Sequence, residues 1–70
     1  SELLAGARID LAHALKAVGK TEEAAKAFRA GVEGFRALAG RAPSDAPLRN
    51  KLGGALNDLA MLLIGRNDLE

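Results

Sequence analysis

Residues 11–28, Leu-Ala-His-Ala-Leu-Lys-Ala-Val-Gly-Lys-Thr-Glu-Glu-Ala-Ala-Lys-Ala-Phe, spell a helix, a tight turn and a second helix. Leu11, Leu15 and Val18 recur at intervals of four and three, the spacing of one face of an α-helix. Gly19 follows, and glycine takes the left-handed conformation that ends a helix without a Cβ penalty. Thr21 is then the predicted N-cap of a second helix. Glu22 and Glu23 stand in its first turn, where carboxylates meet the positive end of the helix dipole. Ala24 and Phe28 begin a second helical stripe. So short a break makes the two helices antiparallel neighbours.

Working outward, Ser1 is the expected N-cap of the first helix, and Leu4 extends its stripe to Leu4, Leu11, Leu15 and Val18, widened by Ala7 and Ala12. Asp10, His13 and Lys16 fall mostly off that stripe. The second helix continues through Gly31, Val32, Phe35 and Leu38, with Lys26, Arg29, Glu33 and Arg36 on its wet face and Gly40 expected to close it. Gly31 and Gly34 each weaken a helix by roughly 1 kcal/mol relative to Ala. Close approach of a neighbouring helix is their expected compensation. Residues 41–47 form a connector in which Asp45 is the predicted N-cap and Pro47 suits a first turn that loses no amide bond. Leu48, Leu52, Leu56, Leu59 and Leu63 make a third stripe, and Gly53-Gly54 reads as a bend or a tight crossing. The division is a helix pair over 1–40, a connector over 41–47, a third helix over 48–66 and the start of a truncated helix over 67–70.

Composition agrees with one all-α domain. Ala, Leu and Gly supply 35 of the 70 residues, whereas Val, Ile and Thr, which strands favour, supply five. Ten basic and nine acidic side chains leave a net charge of +1 with no block of either sign, so a nucleic-acid partner is not expected. The longest apolar run, Leu59 to Ile64, is six residues, against the roughly 20 that span a bilayer. No membrane partner is expected either, and a cytoplasmic location is the default. There is no Cys for a disulfide or a thiolate zinc site. A chain this short buries only about 60% of its unfolded surface, which leaves a lone monomer marginal. The isolated chain is therefore expected to be a homo-oligomer.

Leu11-Ala12, Leu15 and Gly19 through Glu22 find a weaker echo in Leu59-Ala60, Leu63 and Asn67 through Glu70, each position 48 residues on. The first unit resembles the tetratricopeptide repeat: its Leu-small pair is Leu11-Ala12, its next large residue Leu15, its turn glycine Gly19, and its second-helix residues Ala24, Phe28 and Gly31. The resemblance covers about 8–32 well and 56–70 moderately. It departs at Arg8, where the family carries an aromatic, at Thr21, which replaces the usual turn aromatic, and in its period, which is 48 rather than 34. The likeness is to the extended-period variants, with about one and a half repeats present. It implies close helix pairing at Ala12 and Ala24, with Phe28 filling the hollow between them. A plain Ala/Leu three-helix bundle fits the same stripes, and a trafficking module of the MIT kind fits the helix count without its signature residues.

No catalytic set is legible. His13 is the only histidine, without a second imidazole or a Cys to share a metal. Ser1 and Ser44 lack the strand that a nucleophile elbow needs. Glu22 and Glu23 point about 100° apart on a helix. Gly53-Gly54 is not followed by the Lys-Ser/Thr of a phosphate loop. The chain is thus expected to be no enzyme and to hold no cofactor. The repeat resemblance places Ile9 and His13 where the family's carboxylate clamp has Lys and Asn, which argues against that clamp. It implies instead a mixed, mostly apolar partner groove lined by Ile9, His13, Lys16, Asn57, Met61 and Ile64. The alternative expectation is a self-associating scaffold, with Leu59, Leu62, Leu63 and Leu69 left bare by the missing helix and joining two copies.

Overall fold

The computed structural model describes residues 2–67, with side chains through Gly65. Its elements are α1 (Glu2–Ala17), α2 (Thr21–Arg41) and α3 (Ala46–Asn67), so the fold is all-α. The expected cap at Ser1, the helix start at Asp68 and Leu69 lie outside the described residues.

Both inter-helix breaks follow from local chemistry. Gly19 has φ +85°, the left-handed value. The Lys20 amide donates to the Leu15 carbonyl at 2.9 Å and the Gly19 amide to Lys16 at 3.1 Å. This pair of bonds is the Schellman motif, which satisfies two orphan carbonyls at the helix end. α2 begins so soon afterwards that Lys20, not Thr21, is the N-cap, and it makes no side-chain capping bond. Thr21 is the first residue of the helix itself. Gly40 does not close α2, which runs on to Arg41. The terminator is Pro43: its ring excludes the helical conformation at Ala42, which sits at φ −137°, ψ 68°. The Asp45 side chain accepts from the Leu48 amide at 3.0 Å, as an N-cap does, and Pro47 falls in the first turn. The connector shortens to 42–45, because Ala46 and Pro47 already belong to α3.

α2 is the middle element, and α1 and α3 both lie against it while approaching each other little. Gly34 meets Ala5, Gly31 meets Ile9, and Phe28 packs with Ala12, so α1 and α2 run antiparallel. α3 also opposes α2: Val32 and Phe35 cluster with Leu48 and Ala55, whereas Ala24, Ala25 and Phe28 cluster with Leu62. α1 and α3 are therefore parallel, side by side on one face of α2.

The seam between α1 and α2 is built of small residues. A Cβ on Gly34 would lie 2.9 Å from the Ala5 Cβ, and one on Gly31 would lie 2.4 Å from the Ile9 Cδ1. The close approach expected of these two glycines is thus present. It also turns α1 away from the expected stripe. Ala5 and Ala12 are buried and Ile9 half-buried, whereas Leu4, Leu11 and Val18 are 50%, 53% and 69% exposed and Ala7 is exposed. Leucine side chains would hold the helices too far apart for the glycines to matter. α3 turns similarly. Its inward residues are Leu48, Leu52, Ala55, Leu59 and Leu62, at spacings of four and three, and Leu56 is exposed. Gly53 and Gly54 mark no tight crossing, since nothing lies within 4 Å of a Cβ at either.

Candidate groove between the parallel helices

Two parallel helices laid on a third leave a trough between them. Gly6, Ile9 and Asp10 of α1 face Lys51, Gly54, Ala55 and Asp58 of α3 across a cavity of about 280 Å³, with Phe35 of α2 at its base. It is continuous, through Gly6, Asp10 and Lys51, with a wider mouth of about 460 Å³ bounded by Glu2, Leu3 and Ala7. Ile9, Phe35 and Ala55 make the floor apolar. Gly6 and Gly54 keep it open, because neither carries a side chain and a Cβ at either would meet nothing within 4 Å. Of the Gly53-Gly54 pair, Gly54 therefore matters for the space it leaves in the groove, and Gly53 does not line it.

Polar contacts bridge the trough at both ends. Lys51 Nζ donates to Glu2 Oε2 at the start of α1. His13 Nε2 lies 3.2 Å from Asp58 Oδ2, and the imidazole stands edge-on to Phe28, with ring centroids 5.1 Å apart and planes at 88°. Both pairs are about half exposed, so each contributes at most about 1 kcal/mol. Both join α1 to α3 across the trough, while the packing of each helix on α2 sets their spacing. Among the described residues, no three His, Asp or Glu side chains converge as metal ligands.

The six residues expected to line a groove divide. Ile9 lines it, and His13 reaches its edge through Asp58. Lys16, Asn57, Met61 and Ile64 are exposed but lie outside the lining. The correction on α3 is one of register. Residues 51, 54, 55 and 58 face the groove; positions 57 and 64 are rotated away from it, since each residue advances about 100° around the helix, and Met61, two turns on from Gly54, lies beyond its end. The groove residues missed from sequence were Gly6, Asp10, Phe35, Lys51, Gly54, Ala55 and Asp58. The sequence marks Gly54 only as an unusual helix-interior glycine, and its lack of a close neighbour, which points to the groove, is visible only in the structure.

The proposed self-association set also changes. Leu62 is 6% exposed and packs with Ala12 and Phe28, and Leu59 and Leu63 are half-buried, so Leu62 is core. α3 turns Leu62 onto α2 to fill the space above Phe28.

Compared with family models, with curated proteins and with solved structures, the chain matches none. Among the described residues no helix is long and apolar enough to cross a membrane.

Proposed function

We propose that this chain is a non-enzymatic protein-interaction module of tetratricopeptide type, which takes an apolar segment of a partner into the trough between α1 and α3. The observation that carries this reading is the trough itself: an apolar floor of Ile9, Phe35 and Ala55, held open by Gly6 and Gly54 and spanned by two polar pairs. A groove between helices, with few polar groups around an apolar base, is where a helical or extended peptide buries its anchor residues. The tetratricopeptide part of the reading is supported by the Gly19 turn and by Ala12, Ala24 and Phe28, all 0% exposed at the helix seam.

A photo-crosslinking side chain placed at Gly54, and separately at Arg29 on the wet face of α2, tests this in the cell that makes the protein. A defined partner captured from position 54 and absent from position 29 is the expected result. The same capture should be lost in a second variant carrying Gly6→Leu, which fills the trough. Equal capture from both positions, or capture that survives Gly6→Leu, would refute the groove as the binding site.

A second reading, a self-associating scaffold, is favoured by one observation. Leu3, Leu4, Leu11, Val18, Met61 and Ile64 are each half or more exposed on a very small chain.

A further inference from the structure

We infer that the partner segment taken into the trough is cationic: an apolar anchor side chain with a lysine or arginine beside it. This inference rests on the groove reading of the proposed function and names the chemistry of the occupant. Charge is not spread evenly over the molecule. Of the seven acidic side chains among the described residues, Glu2, Asp10 and Asp58 line the trough, against Lys51 alone of the nine basic ones. Three carboxylates against one ammonium leave the trough net negative. The rest of the described surface carries eight basic and four acidic side chains. A basic segment therefore meets net like charge over most of the molecule and opposite charge at the trough, and the field steers it there.

The bonds these side chains already make single out one of them. Lys51 is held by Glu2, and that pair is neutral as a unit. Asp58 has His13 Nε2 at 3.2 Å from its Oδ2. Asp10 makes no hydrogen bond or ion pair with any residue of the chain. It lines both the narrow section and the mouth, so it stands at their junction, on the wall opposite Asp58. An incoming lysine or arginine can lay its aliphatic stem on the floor of Ile9, Phe35 and Ala55 and carry its charged head to the carboxylates at the walls. An apolar floor with acidic walls matches that side-chain type from both ends. An acidic segment, or the phosphate backbone of a nucleic acid, would meet like charge at Asp10 and Asp58.

Random peptides displayed on phage, selected on the chain and counter-selected on a Gly6→Leu chain whose trough is filled, read the sign of the occupant directly. Peptides retained by the wild-type chain alone should carry Lys or Arg beside an apolar anchor. A synthetic copy of the strongest should bind Asp10→Lys at least about tenfold more weakly, since like charges then face each other. Its binding should also weaken as salt is added. Glu23→Lys, which reverses an exposed acid of α2 that does not line the trough, should leave binding unchanged. Asp10 is exposed, so all the variants should keep the helical circular dichroism of the parent. Trough-dependent peptides that are acidic or uncharged would overturn the cationic occupant and leave the groove reading standing. Peptides retained equally by both chains, or none retained, would overturn the groove reading and this inference with it. Sedimentation in which the wild-type chain self-associates and Gly6→Leu stays monomeric would put a second copy in the trough and overturn the cationic segment as its occupant.

Discussion

At Gly34 a single methyl group decides how near two helices come. A Cβ there would sit 2.9 Å from the Ala5 Cβ, a contact fixed to backbone on both sides and unable to swing away. Gly34→Ala gains about 1 kcal/mol of helix propensity but forces the seam apart, at a typical cost of about 1–3 kcal/mol. We expect net destabilisation in urea unfolding. Gly53→Ala meets nothing and should stabilise by up to about 1 kcal/mol. A Gly34→Ala variant as stable as Gly53→Ala would contradict the close seam. Phe28 is the largest fully buried side chain, enclosed by Ala12, Ala24, Ala25 and Leu62. Phe28→Ala should cost about 3–5 kcal/mol, enough to unfold so small a chain. Lys26→Ala, on the exposed face, should leave the melting curve in place. Phe28 as the plug of the helix pair was legible in the sequence. His13 standing against its ring, paired with Asp58, was not, because those contacts join residues from three helices whose rotation only packing sets.

The ends of each element are set by their own few residues. Asp45 accepts the Leu48 amide, and Asp45→Ala should lower stability by about 1 kcal/mol, whereas Asp45→Asn should nearly preserve it. Gly19 is held at φ +85°, so Gly19→Ala should cost roughly 1–2 kcal/mol, the penalty of a Cβ in left-handed backbone. Thermal unfolding with matched controls measures both. Such signals are readable without a structure because the interacting groups are within five residues of each other. The mistaken helix end at Gly40 has the same origin. A glycine permits termination, but Pro43 compels it through the conformation of Ala42, and the compelling residue prevails.

For the whole molecule, the third helix faces both its neighbours. Leu62 closes the core above Phe28, so Leu62→Glu should abolish cooperative unfolding, while Ile64→Glu, on an exposed position, should not. Circular dichroism during heating separates the two outcomes. The groove allows the opposite test. Gly54→Leu adds bulk where nothing lies within 4 Å, and should leave thermal stability unchanged or raised while blocking a bound segment. A Gly54→Leu variant that unfolds would show the trough to be part of the core.

Three helices, the left-handed turn at Gly19, the cap at Asp45, the small-residue approach at Gly31 and Gly34, and the burial of Phe28 all follow from sequence alone. Each depends on local hydrogen bonding, backbone sterics or sheer residue size. Only the tertiary structure decided which face of α1 and α3 turns inward. α1 carries two candidate faces, a more hydrophobic one through Leu4, Leu11 and Val18 and a smaller one through Ala5, Ile9 and Ala12. Hydrophobicity alone favours the first. Contact distance selects the second: Gly31 and Gly34 on α2 can be matched only by small side chains, and close packing over the whole seam outweighs burying two leucines on one helix. That rotation also placed Gly6, Asp10, Gly54 and Asp58 around one trough and left Leu4, Leu11 and Val18 facing outward.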